Sequence, residues 1–124
     1  MKKSELGKLG EDFTCEFLKR KGYRILERNC RRPWGEIDII AHAPKGTLVF
    51  VEVKAMRQGK LLPEDHLTRA KLRRLQRTAE LLSNGDYADE SRRGWQIDLV
   101  ALSMDGNGDF SRTTHYENIG GRRD

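Results

Sequence analysis

Two cysteines, three histidines and three prolines are all that this chain of 124 residues holds of the residue types that build disulfide frameworks, zinc sites and proline-rich segments. Cys15 and Cys30 form no Cys-x-x-Cys pair, which removes the usual sign of zinc or dithiol chemistry and leaves them as reduced, structural thiols. His42, His66 and His115 stand too far apart in sequence for the short-range spacing of a zinc site, so each is read as a surface or core histidine. No apolar run approaches the length of a membrane span, and the opening Met-Lys-Lys-Ser-Glu-Leu-Gly-Lys lacks the apolar segment of a secretory signal. The expectation is a cytoplasmic protein with no membrane partner. There is no Gly-x-Ser-x-Gly elbow, no Walker loop and no internal repeat. Nor is there a long block of one charge sign, which argues for an ordered globule.

Charge itself is abundant. Charged residues make up 35% of the chain and hydrophobic residues 36%, a balance suited to one domain with a real core and a highly charged surface. That domain is expected over residues 1–119, with 120–124 as a flexible basic tail. Lys and Arg total 24 against 19 acids, a net charge of +5, which favours an anionic partner such as nucleic acid.

The pattern is most informative at Leu48–Ala55, Leu-Val-Phe-Val-Glu-Val-Lys-Ala. Branched and aromatic residues mark it as a strand. Alternation then places Phe50, Glu52 and Lys54 on one face and Val49, Val51 and Val53 on the other. Burying a carboxylate and an ammonium in a core strand costs several kcal/mol per ion unless each is paired, so fold stability alone accounts poorly for Glu52 and Lys54. A functional site accounts for them better.

The elements around this strand are legible from their periodicities. Leu6, Leu9, Phe13, Phe17 and Leu18 recur at helical spacing from about Ser4 to Lys21, with Ser4 as a candidate cap and Gly22 as the stop. Glu11 falls outside the centre of that apolar face, and periodicity leaves it solvated. Tyr23–Arg28 reads as a strand, followed by a turn from Asn29 to Gly35. Arg28, Arg31 and Arg32 with Trp34 form either a phosphate-facing edge carrying a stacking aromatic or a solvated loop. Glu36–Ala41 is the next strand, with Ile37 and Ile39 expected on one face and Glu36 and Asp38 on the other. A hairpin through Pro44 and Gly46 returns to Leu48. It brings Asp38 within roughly 4.5–8 Å of Glu52 and Lys54.

Beyond the central strand, Arg57–Asp65 is expected as a loop near the same strand end, able to cover a substrate, with Arg57 a candidate nucleic-acid contact. A long helix is expected from Pro63 or Glu64 to Asn84. Arg69, Lys71, Arg73, Arg74 and Arg77 place five positive charges within nine positions of it, with few acids between, and suit phosphate contacts. Trp95–Leu102 and Phe110–Tyr116 are the last strands, joined by a turn at Asp105–Gly108. Asp98 interrupts an apolar face and is read as a structural partner to a basic group, the other reading being a further metal-site carboxylate.

Asp38, Glu52 and Lys54 together suit phosphodiester cleavage. Two carboxylates on one face can hold Mg²⁺, or Mn²⁺, which neutralises phosphate and acidifies a bound water. The carbonyl of Val53, between two functional side chains, joins the candidate ligands. Lys54 fits two tasks, deprotonating the attacking water with a depressed pKa or stabilising the pentavalent phosphate as a cation.

The succession Gly7-x-x-Gly10-Glu11, Gly22-Tyr23-x-Ile25-Leu26-x-x-Asn29, Gly35-Glu36-Ile37-Asp38-Ile39-Ile40-Ala41 and Phe50-Val51-Glu52-Val53-Lys54 resembles the YraN family of small bacterial proteins, which is similar to archaeal Holliday junction resolvases. The resemblance runs from about Gly7 to Leu82. It implies an α/β restriction-endonuclease-like fold, a mixed central β-sheet flanked by helices in the order α-β-β-β-α-β-β, bearing a PD-(D/E)XK nuclease motif. On that resemblance Asp38 is the motif aspartate, Glu52 and Lys54 are its Glu-x-Lys, and Glu11 completes the metal site from the first helix. The basic helix corresponds to one that contributes a Lys or Gln near the site, and Lys71 is taken for that role. The implied activity is metal-dependent endonuclease action on DNA, including branched repair or recombination intermediates. The alternative is a nucleic-acid-binding module with little turnover. Resolvase relatives pair two sites to cut two strands, so a homodimer belongs to the same expectation. Arg31, Arg32, Arg57, Lys71, Arg73, Arg74 and Arg77 are the expected nucleic-acid contacts.

Overall fold

A computed structural model describes residues 1–59 and 62–120. Helix α1 spans Lys3–Arg20, and strands β1 (Arg24–Arg32), β2 (Gly35–His42) and β3 (Leu48–Arg57) follow. A 3-10 helix (Pro63–His66) leads to helix α2 (Arg69–Asn84), and strands β4 (Trp95–Met104) and β5 (Phe110–Tyr116) complete the α-β-β-β-α-β-β order. The five strands lie in sequential order in one sheet, antiparallel except where β3 and β4 run parallel. A parallel pair needs a long crossover, and the segment carrying α2 supplies it.

The helices cover opposite faces. Cys15 and Leu18 of α1 meet Ile39, Val49, Val51 and Val100, whereas Leu75, Ala79 and Leu82 of α2 meet Ile37, Phe50, Trp95 and Ile97. Strand β3 is therefore buried on both sides, which is why Leu48 to Val51 form an unbroken apolar run. A Cβ at Gly10 would sit 2.8 Å from Ala55 Cβ, so this glycine lets α1 lie close on β3. Among the described residues no helix is long and apolar enough to cross a membrane.

Several boundaries move. Lys2, not Ser4, precedes α1, and no side chain caps that end. Leu9 is exposed, while Gly10 and Thr14 occupy the buried face. The turn expected from Asn29 shrinks to Pro33 and Trp34, because β1 continues through Asn29 with φ +50°, a left-handed geometry that Asn tolerates. Ile37 and Ile39 do not share a face. Ile37 packs under α2 and Ile39 under α1, and on the paired strand Cys30 goes under α2 while Arg28 reaches Asp12 on α1. Strict alternation fails in both strands, in β1 across the left-handed Asn29 and in β2 across Asp38, which lie between these pairs.

The expected long helix is divided. Leu67 and Thr68 are extended, and the Thr68 hydroxyl accepts from the Lys71 N–H at 3.1 Å, capping α2 where it begins. Of the loop expected over Arg57–Asp65, Arg57 belongs to β3, Pro63–Asp65 are in the 3-10 helix, and Lys60 and Leu61 lie outside the described residues. The tail expected from Gly120 is packed at its first residue. Gly120 is buried against Ile97, and its carbonyl accepts from the Gln76 side chain. Residues 121–124 lie outside the described residues.

Candidate active site at a strand fork

Strands β2 and β3 pair from His42 and Leu48 as far as Ile39 and Val51, and there the ladder ends. Asp38 and Glu52 are the next residues on each strand. At the fork the Val53 N–H donates to Asp38 Oδ2 at 2.8 Å, so a carboxylate takes the place of the missing backbone acceptor. The sheet thus opens at a point where one acidic side chain is tied to the facing strand.

The opening is a cleft of about 310 Å³ in which Asp38, Glu52, Val53, Lys54 and Lys71 meet. Trp34 and Gly35 at the β1–β2 turn and Arg74 and Thr78 of α2 also line it. Glu52 is only 8% exposed, and Lys71 Nζ reaches its Oε2 at 2.7 Å. Burial pushes the Asp38 carboxyl up to about 8, the neighbouring charge of Glu52 adds to the rise, and the Val53 N–H opposes it.

Glu11 occupies a neighbouring groove with Gly7, Arg28, Asn29 and Arg31. Burial raises its pKa, and its own charge contributes to the rise at Asp38, so the two groups lie within electrostatic reach. Its Oε1 is buried without a hydrogen-bond partner, with Arg28 3.8 Å away. Periodicity misplaced this residue because it lies at the edge of the helix face, where α1 crosses the sheet.

For a divalent cation the donor chemistry fits. Asp38, Glu52 and the Val53 carbonyl are hard oxygen donors of the kind Mg²⁺ and Mn²⁺ take, and the unpartnered Glu11 oxygen lies nearby. Among the described residues no three Asp, Glu, His or Cys side chains gather into a ready-made metal cluster. A cation here would rest on the two carboxylates of the fork, with Glu11 outside the cleft.

The basic residues divide in the same way. Lys71 and Arg74 enter the cleft, and Arg73 and Arg77 are exposed on α2. Arg31 is exposed and 3.9 Å from Glu36. Arg57 borders a second groove with Lys2 and Lys3 and donates to the Met1 carbonyl at 2.8 Å. Arg32 is engaged elsewhere, 3.0 Å from Asp86 and 3.7 Å from Glu27, holding β1 to the segment after α2. Asp98 is fully buried and accepts from Gln96, the Asn118 N–H and His115, on the opposite face of the sheet from the cleft. Thr78 was invisible as a site residue in the sequence. A Cβ at Gly35 would stand 2.1 Å from its Oγ1, a contact between hairpin and helix that no local pattern announces.

A family model described as uncharacterised protein family UPF0102 matches residues 10–102, and the chain belongs to that family. A UPF0102 protein of Dictyoglomus thermophilum is 48% identical over 86% of this chain and 90% of its own length. One of Caldicellulosiruptor saccharolyticus is 51% identical over 84% of this chain and 86% of its own length. A Thermotoga neapolitana relative is 55% identical over a shorter match, 57% of this chain and 64% of that protein.

Proposed function

We propose that this member of the UPF0102 family is a metal-dependent endonuclease of restriction-endonuclease-like fold that acts on DNA, branched repair or recombination intermediates among its substrates. The observation that carries the reading is the pair Asp38 and Glu52, two largely buried carboxylates at a strand fork beside Lys54 and Lys71. A fold gains no stability from such a pair, because two close carboxylates cannot both ionise cheaply. The resemblance of Asp38 and Glu52-x-Lys54 to the PD-(D/E)XK motif supports the same reading.

In this reading Asp38, Glu52 and the Val53 carbonyl hold Mg²⁺ or Mn²⁺, which supplies charge neutralisation and an acidified water. The Val53 N–H fixes the Asp38 carboxylate and Lys71 fixes Glu52. Lys54 stabilises the charge that develops on the phosphate. Arg74 in the cleft, with Arg73 and Arg77 outside it, binds the flanking phosphodiesters.

One contact favours a second reading. Lys71 already neutralises Glu52, an arrangement that also suits a nucleic-acid-binding module with little turnover. Linear, single-stranded, flapped and four-way-junction DNAs incubated with Mg²⁺ or Mn²⁺ separate the two, with binding read in Ca²⁺. Cleavage by the wild type that vanishes in Asp38→Asn is the expected result. Binding by both proteins without cleavage by either would leave the binding module.

A further inference from the structure

Trp34 is 48% exposed and borders the cleft, and among the described residues no aromatic ring packs against it. It sits in the two-residue turn between β1 and β2, a place where a bulky apolar ring gains nothing for the hairpin. The turn is held in place. Gly35 lies so close to Thr78 that the hairpin tip is pinned to α2, which keeps the indole at the edge of the cleft.

Cations line the same cleft. Lys71 and Arg74 are among its residues, and Lys54 lies where the cleft meets a second groove, of about 710 Å³, which also borders Val53. Lys2, Lys3 and Arg57 line that second groove, so a positively charged track leads out of the cleft across Lys54. At about 310 Å³ the cleft is at the small end of ligand sites, which run from about 300 to 1,000 Å³. Such a volume suits a single nucleotide unit far better than a stacked base pair.

We propose that the cleft takes one unpaired nucleotide, its base stacked on Trp34 and its flanking strand led over Lys54 into the groove of Lys2, Lys3 and Arg57. An aromatic face serves a base only when that base is out of a duplex, so the substrate class is single-stranded DNA or an unpaired arm of branched DNA. This rests on the endonuclease reading for its site and narrows it. Trp34 is the specificity residue and plays no part in bond cleavage.

The test is binding in Ca²⁺, where turnover is not required. Oligothymidylate and a blunt duplex of equal length are titrated against the wild type, Trp34→Ala and Trp34→Phe. Trp95, the other tryptophan, is buried against Phe50, so quenching of the exposed indole reports on Trp34. Oligothymidylate is expected to quench wild-type fluorescence and to bind roughly 10-fold or more weakly to Trp34→Ala, with Trp34→Phe close to wild type and duplex affinity unchanged. Equal losses for both DNAs, or no loss for either, would overturn the proposal. Its fate is separable from that of the nuclease. Trp34-dependent single-strand binding without cleavage keeps this proposal and removes the endonuclease, and Asp38-dependent cleavage indifferent to Trp34 does the reverse.

Discussion

Lys71 Nζ lies 2.7 Å from Glu52 Oε2, and this contact ties the basic helix to β3 where its buried apolar run gives way to charge. Glu52 is 8% exposed, and the Lys71 ammonium is its ion-pair partner. Removing that partner by Lys71→Met should destabilise the fold by about 1–3 kcal/mol, since Lys71 itself is partly open to water. Glu52→Gln in the Lys71→Met background should recover most of the loss. Urea denaturation of the wild type, Lys71→Met, Glu52→Gln and the double variant measures the coupling, and additive losses would show that the pair is not energetically linked.

Asp38 should make stability depend on pH in a direction unusual for a carboxylate. Its folded pKa is raised to about 8 from an ordinary 3.8, so the native state holds the proton more tightly than the unfolded chain does. The native state is favoured where the proton is bound in both forms, and the advantage falls from about pH 4 until it is gone above about pH 8. In chelator, Asp38→Asn should therefore gain Tm relative to the wild type as pH rises from 5 to 9. A divalent cation should narrow the gap at pH 9 by stabilising only the ionised wild type. A difference independent of pH would mean that Asp38 is not held in a raised state.

Gly35 tests the close approach of hairpin and helix. A methyl group there would meet Thr78 Oγ1 at 2.1 Å, with Thr78 Cβ and Cγ2 at 3.2 and 3.3 Å. Gly35→Ala should cost about 1–3 kcal/mol through forced separation. Adding Thr78→Ala should restore part of that, because it removes the two atoms in the tightest and widest of these contacts. Thermal melts of both variants check the expectation, and a single variant as stable as the wild type would show that the hairpin yields freely.

The two kinds of information in the sequence were not equally readable. The strand Leu48–Ala55 and the charges on its outward face follow from period-two alternation, and the structure places Glu52 and Lys54 on that face as expected. The hairpin argument brings Asp38 near Glu52 and Lys54, and the three do line one cleft, but what opens the sheet there is hidden from it. The ladder stops at Ile39 and Val51, and a left-handed Asn29 switches the faces of β1 and β2, so Ile37 and Ile39 separate. Alternation rules assume regular pleating and fail where a strand bends. The break before α2 was missed for a related reason: Leu67 fits a helical stripe, but the Thr68 hydroxyl captures the Lys71 N–H and starts the helix two residues later. Glu11 and Thr78 depend on how separate elements cross, and no window along the chain contains that information.

A second polar cluster shows which buried charges belong to the fold. Asp98 is fully buried, and His115 Nε2 meets its Oδ2 at 2.7 Å while Lys21 Nζ lies 2.7 Å from Nδ1 of the same ring. The lysine ammonium has no lone pair with which to accept, so Nδ1 is the acceptor and Nε2 carries the hydrogen given to Asp98. The chain Lys21, His115 and Asp98 joins the end of α1 to β5 and β4, on the face away from the cleft. His115→Ala removes the partner of one Asp98 oxygen and should cost about 3 kcal/mol, while the Gln96 and Asn118 donors still hold the other oxygen. His115→Gln, whose amide can still donate to Asp98, should cost less. If the cleft binds DNA as proposed, both variants should retain that binding per folded molecule, because nothing in this cluster lines the cleft. Chemical denaturation with binding measured on the folded fraction makes the comparison, and a binding defect in a fully folded His115→Gln protein would show that the two faces of the sheet are coupled.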